Sequence, residues 1–441
     1  MKEQHLLKKD GVSYVLPFLL VVSCFALWGF ANDLTNPMVK AFSKIFRMSV
    51  MEGTLVQVAF YGGYFVMAFT AALFIRRYSY KAGVLMGLAL YAAGCFLFFP
   101  ARLSGNYYPF LIAYFILTCG LSFLETSCNP FVLSMGEEST ATRRLNLAQS
   151  FNPIGSLGGM FVAMIFIQAR LYPLSADERA LLSPSEFESM KMADLHILIQ
   201  PYLFIGIVIA LIFLAIRFLP IPRHHDAEGH DDLRSSFCRL LRIPRYREGV
   251  VAQFFYVGAQ IMCWTFIIQY GTKVLMQLHP DMSEQAAEIL SQRYNIVAMV
   301  LFCVSRFICT FLLRYISAGR LLTSFAIAAI GLLFGVIFGK GMIGLYCLVG
   351  VSVCMSLMFP TIYGESLRGL GNDAKLASAG LIMSILGGSV LPPLQAWIID
   401  QEDFLGLSGV SASFIVPMFC FLVIAVYGMR TMLRSRMKAV N

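Results

Sequence analysis

Twelve apolar runs, each about the 20 residues a helix needs to cross a hydrocarbon layer, dominate this sequence. They cover approximately 14–39, 51–75, 80–101, 108–135, 144–169, 199–220, 248–271, 292–314, 319–339, 341–364, 375–399 and 410–430. Inside lipid each backbone N–H and C=O must be satisfied within its own segment, so every run is expected to be a helix. Charged residues make up 13% of the chain and hydrophobic ones 58%, whereas soluble domains carry roughly 25% charged residues. The expected fold class is an all-α membrane protein of twelve transmembrane helices. The longest polar stretch divides it into a six-helix bundle (1–219), a cytoplasmic linker (220–247) and a second six-helix bundle (248–441).

The net charge of +9 does not form the face or stripe that would bind nucleic acid. Basic residues sit at the ends of apolar runs, where the insertion machinery reads them. Arg76, Arg77 and Lys81 follow the second run, Arg223 to Arg247 fill the middle loop, and Arg430, Arg434, Arg436 and Lys438 close the chain. Opposite loops carry Asp177, Glu178, Glu186, Glu188 and Asp194, or Asp400, Glu402 and Asp403. Both termini are therefore expected in the cytoplasm; Lys40, Lys44 and Arg47 in the first outer loop run against the trend. The first run is too long for a signal-peptide core and reads as a retained helix. Ten of the eleven cysteines fall in apolar runs with no CxxC or Cys/His spacing, so no disulfide framework or metal site is expected. His224, His225 and His230 beside Asp226, Asp231 and Asp232 read as a solvated linker.

Polar groups in mid-membrane are costly and usually face a cavity or a partner. The first helix offers Asn32, Asp33 and Asn36; the pairs Asp33–Asn36 and Asn32–Asn36, at helical spacing, can border one cavity, with Pro37 beyond. The fourth carries Glu125, deep in its run, and Asn129 one turn on. Burying a charged carboxylate is expensive, so Glu125 suits a group that takes up and releases a proton; a permanently protonated interhelical hydrogen bond is the alternative. The fifth presents Asn146, Gln149 and Asn152 every third residue, before Pro153. Amides donate and accept, which fits sugar hydroxyls, or equally interhelical packing. On the seventh, Gln253, Tyr256, Gln260 and Trp264 share a face, with Trp264 a candidate stacking surface. Arg306 on the eighth is expected to snorkel towards the inner surface or to pair with a carboxylate. No nucleotide loop, nucleophile elbow or HExxH is present. No enzyme activity and no cofactor are therefore expected, and energy must come from an ion gradient. Helix four ends in NPFVLSMGEES and helix ten in FPTIYGESL, a weak parallel repeat that suits the major facilitator fold.

The motifs SYKAG (79–83), LETSCNPF (124–131), RLNLAQSFNPIG (144–155), AQFFYVGAQIMCW (252–264) and FPTI (359–362) stand in one order along most of the chain. Through them it resembles the fucose permease group of the major facilitator superfamily, the bacterial fucose–proton symporters. The resemblance implies a central sugar cavity, alternating access and a proton-cycling carboxylate on helix four, at the position of Glu125. It also implies a helix-one aspartate where this chain has Asn36, with Asp33 one turn earlier. The expectation is a proton-coupled importer of a neutral monosaccharide, L-fucose first. Glu125 and Asp33 are expected to couple protons. Asn32, Asn36, Asn129, Asn146, Gln149, Asn152, Gln260 and Trp264 are expected to bind the sugar. A permease for glucose, galactose or N-acetylglucosamine, or a transporter-like sugar sensor, is the alternative. The expected partners are the sugar, a proton and the lipid bilayer of the bacterial inner membrane, with no nucleic acid, around a monomer.

Overall fold

The structure, a computed structural model, describes residues 6–9, 12–35, 38–48, 55–172, 174, 178–179, 181–218, 233–282, 284–339, 341–399, 401, 403–404 and 406–440. Asn36, Pro37, Asp177, the stretch 219–232 with its histidines, Asp400 and Glu402 lie outside them.

Among the described residues twelve helices are long and apolar enough to span a membrane. They are α1 (Val15–Thr35), α2 (Val58–Arg77), α3 (Tyr80–Ser104), α4 (Tyr108–Ser134), α5 (Glu138–Ile167), α6 (Pro184–Phe218), α7 (Pro244–Leu278), α8 (Ile289–Leu312), α9 (Ala318–Phe338), α10 (Met342–Leu367), α11 (Ala374–Ile399) and α12 (Gly409–Arg434). Each matches one apolar run, and this is a multi-pass membrane protein. Large apolar side chains such as Phe69, Ile112, Phe204, Leu211, Phe311 and Phe338 point outward, as lipid allows and water would not.

The largest departure from the sequence expectation is α6, which starts at Pro184 rather than near residue 199. Its first turns, SEFESMKMADLH, are too polar for lipid, yet helical hydrogen bonding continues through them. Ser183 starts the helix: its N–H and its hydroxyl both donate to Glu186 three residues on, a capping arrangement. Asp194 lies buried there in an ion pair with the equally buried Arg179. This acidic ground also gives the anomalous basic loop a partner set. On the short helix Met38–Phe46, Lys44 feels Arg179, Asp194 and Glu178, and Arg47 stacks 4.8 Å over the Phe187 ring. Burial, then Arg179, lowers the Lys44 pKa, against the pull of Asp194 and Glu178.

The described part of the stretch expected as a linker is helical. Leu233–Arg242 is a helix whose Arg239 grips Asp373 at the start of α11 through two bonds of 2.6 and 2.9 Å.

The chain separates into two compact units. One comprises residues 11–132 and 151–228. In it α1 packs along α5 and α3 along α6. The α1–α5 approach is close because Gly155 and Gly159 face the carbonyls of Ala26 and Phe30, where a Cβ would collide. The other unit comprises residues 1–10, 133–150 and 229–441, so the C-terminal end of α4 and the N-terminal end of α5 belong with α7–α12. There α9 lies against α10 and α12, and α7 against α8, α11 and α12. Arg144, fully buried, ties this hairpin together. It donates to the Leu133 carbonyl at the end of α4 (2.6 Å), to the Thr140 hydroxyl (2.9 Å) and to the Leu6 carbonyl (3.1 Å). A cation at a helix C-terminus answers both the free carbonyls and the dipole.

Candidate functional site

Besides α12, which has a break at Ser413 and Phe414 near its start, three spans are interrupted. Helix α5 breaks at Ser150 and Phe151, between helical segments Ala141–Gln149 and Asn152–Val162. Helix α10 breaks at Ser356 and Leu357, between Met342–Met355 and Met358–Leu367. Helix α11 passes through a 3-10 turn at Ser384–Leu386. Prolines explain the first two. Pro153 and Pro360 have no N–H and crowd the carbonyl four residues back, releasing those of Gln149 and Ser356. Freed backbone beside polar side chains is where membrane carriers place their sites.

In the first unit, Glu125 on α4 is 7% exposed, and its Oε2 has no hydrogen-bond partner among the described residues. The backbone carbonyl of Glu125 accepts 2.9 Å from Asn129 Nδ2, so Asn129, fully buried, spends a donor on the helix itself. Glu125 lies within electrostatic reach of Tyr64 on α2. Asp33, half-buried on α1, stands in the same relation to Tyr61, one turn from Tyr64. Asn32 is also half-buried. Asn152 donates 3.2 Å to the Phe25 carbonyl, at the point where Gly29 leaves room for it. The acids and amides of α1, α4 and α5 therefore share this unit, with tyrosines of α2 beside the two carboxyls.

In the second unit, Asn146 is fully buried. Its Nδ2 donates to the Thr142 carbonyl (2.9 Å) and the Thr361 hydroxyl (3.2 Å), while Oδ1 has no hydrogen-bond partner among the described residues. Gln149 is buried and its carbonyl accepts from Arg306. Trp264 is half-buried; its Nε1 donates 3.1 Å to Ser352, and its ring meets Phe302 edge-on at 5.0 Å. Gln260, one turn before Trp264, is half-buried. Tyr256 is committed to structure: its hydroxyl donates 3.1 Å to the Met355 carbonyl at the α10 break.

Three features escaped the sequence reading. Arg306 neither reaches for the surface nor meets a carboxylate among the described residues. Gln253 is fully buried, and neither of its amide atoms has a hydrogen-bond partner among the described residues. Glu365 accepts 3.0 Å from Thr142 and pairs with Arg368 at 3.6 Å. The repeated Gly-Glu after helices four and ten could have flagged Glu365. The register of Pro153 and Pro360 could have flagged carbonyls in need of a donor. Among the described residues no group of three metal-ligating side chains occurs.

Twelve spans, interrupted helices lined with amides and a buried acid with no cation paired to it among the described residues define a polytopic carrier of a small polar solute. Residues 20–365 match the Major Facilitator Superfamily, and the chain belongs to that family. It is 49% identical to the L-fucose-proton symporter of Haemophilus influenzae, over 95% of this chain and 96% of that one. It is 34% identical to the L-fucose-proton symporter of Escherichia coli, over 94% and 93% respectively. Among solved structures it is similar to FucP, a transporter of this superfamily in the outward conformation. That match has a TM-score of 0.85 at 32% identity, covering 95% of this chain and 99% of FucP.

Proposed function

We propose that this protein imports L-fucose together with a proton by alternating access. The observation that carries the coupling is Glu125 Oε2, buried in a membrane helix with no hydrogen bond from the described residues. Two near-full-length relatives that are L-fucose-proton symporters support the substrate. A charged carboxylate left without donors in a dry surrounding costs several kcal/mol, on the order of what a lost buried ion partner costs. Protonation removes that cost. The outward-open carrier therefore takes sugar and proton together. With Glu125 neutral the site can close over an uncharged solute, and on the inner side water re-solvates the carboxyl and draws the proton off. Asp33 stands near enough to the α2 tyrosines to assist the transfer. Asn32, Asn36, Asn129, Asn146, Gln149, Asn152 and Gln260 supply hydroxyl contacts, and Trp264 offers a ring to the apolar sugar face.

The six-helix halves 1–219 and 248–441 are the bodies that rock, joined through 220–247. The carrier works as a monomer in the lipid of the bacterial inner membrane. Both termini face the cytoplasm, as the basic loops dictate.

The test is labelled L-fucose uptake into proteoliposomes under an imposed pH gradient, beside exchange with no gradient. Glu125→Gln should abolish accumulation and leave exchange. Accumulation by the variant equal to the parent's contradicts the coupling role, and uptake of another sugar in preference to L-fucose contradicts the substrate.

A further inference from the structure

Arg306 is 3% exposed in the membrane part of α8, and no carboxylate neutralises it among the described residues. Beside the Tyr256 hydroxyl, which lies within its reach, it bonds two backbone carbonyls. Nε donates 2.6 Å to Ser356 and Nη1 donates 2.9 Å to Gln149. These are the carbonyls that Pro360 and Pro153 release, each four residues before its proline. One guanidinium thus completes two broken helices, α10 from the second half of the sequence and α5 from the first. The fork is needed for this: it sends N–H groups in several fixed directions, whereas an ammonium is a single point. The surroundings hold it in place. Phe302 lies 4.6 Å below the guanidinium. Ser305 bonds both the Val353 carbonyl (2.9 Å) and the Ser356 hydroxyl (2.9 Å). The same Phe302 ring meets Trp264. The α5 break also falls where the chain leaves one compact unit for the other, between Ser150 and Phe151.

We propose that Arg306 is a clasp joining the proline-opened carbonyls of Gln149 and Ser356, a positioning residue that holds the inner segment of α5 on α10 in one state of the cycle and must release it in another. This deepens the symport reading: a carrier that rocks needs a joint whose bonds break without leaving a buried ion pair stranded. Carbonyls freed by proline are such partners, because water can take the place of the guanidinium once the joint opens. Through Phe302 the clasp also abuts Trp264, the candidate sugar platform, so solute at Trp264 can bias it.

The test is hydrogen–deuterium exchange on the full-length protein in nanodiscs, comparing the parent with Arg306→Gln and Arg306→Lys. Loss of two charge-assisted bonds should speed exchange in Ala141–Gln149 and in Met358–Leu367 by about tenfold or more. Exchange in α3 and α6 should stay at the parent's level. Arg306→Lys, which can hold one carbonyl, should fall between. In proteoliposomes Arg306→Gln should lower the maximal L-fucose uptake rate about tenfold, with L-fucose binding within about threefold of the parent's. Unchanged exchange in Ala141–Gln149 overturns the clasp. So does a rise spread evenly over all helices, which marks a merely structural residue; if Arg306→Gln does not fold, Arg306→Lys alone decides between the two patterns. A parent that carries no L-fucose overturns the symport reading, while the exchange data still judge the clasp.

Discussion

Glu125 and Arg306 are both buried charged residues in membrane helices, and neither faces a group of opposite charge among the described residues. They differ in how their polar atoms are met. Arg306 gives its N–H groups to two carbonyls that prolines have set free, so in this state its charge is spread into backbone dipoles. Glu125 keeps an oxygen with no donor among the described residues. A cation answered by carbonyls is part of the architecture; an acid left unanswered is where something arrives from outside. In the symport reading proposed above, the species that arrives at this carboxyl is the proton.

A paired charge sets the upper end of this scale. Arg179 and Asp194 form an ion pair with both side chains fully buried. Asp194→Asn strands the cation and should cost about 3–5 kcal/mol, read as the largest drop in melting temperature of the series. Arg306→Gln, losing two charge-assisted bonds, should follow at about 3 kcal/mol. At a pH where Glu125 is protonated, Glu125→Gln should change stability by under about 1 kcal/mol in either direction, because no partner is orphaned. Arg239→Ala, which removes a half-exposed partner of Asp373, should cost only about 0.2–1 kcal/mol. Thermal melts in one detergent rank all four. Glu125→Gln falling as far as Asp194→Asn would erase the distinction between an answered and an unanswered charge.

A separate substitution tests the packing that brings α1 to α5. Gly155→Leu must push a side chain into the Ala26 carbonyl and should leave little folded protein on size-exclusion chromatography.

The twelve spans were legible because an apolar run of that length admits one solution in lipid. Glu125 was legible for a related reason, since an acid in such a run is rare. The extension of α6 was not, because SEFESMKMADLH reads as loop unless one knows that Asp194 finds Arg179. Nor was the role of Arg306. The sequence shows Pro153 and Pro360 as breakers, but the donor that repairs both sits on a third helix, 157 and 50 residues from the carbonyls it serves. Pairings of that range are fixed by packing, which periodicity does not encode. The same holds for Tyr256, which shares a face with Gln260 yet is spent on the Met355 carbonyl.

The most direct measurement is proton uptake when L-fucose is added to the purified, lightly buffered protein, followed with a pH-sensitive dye. The parent should take up about one proton per sugar bound at a pH where the free carrier holds Glu125 charged, and Glu125→Gln should bind sugar while taking up none. Equal proton uptake by the parent and by Glu125→Gln would place the coupling group elsewhere and contradict the role given to this carboxyl.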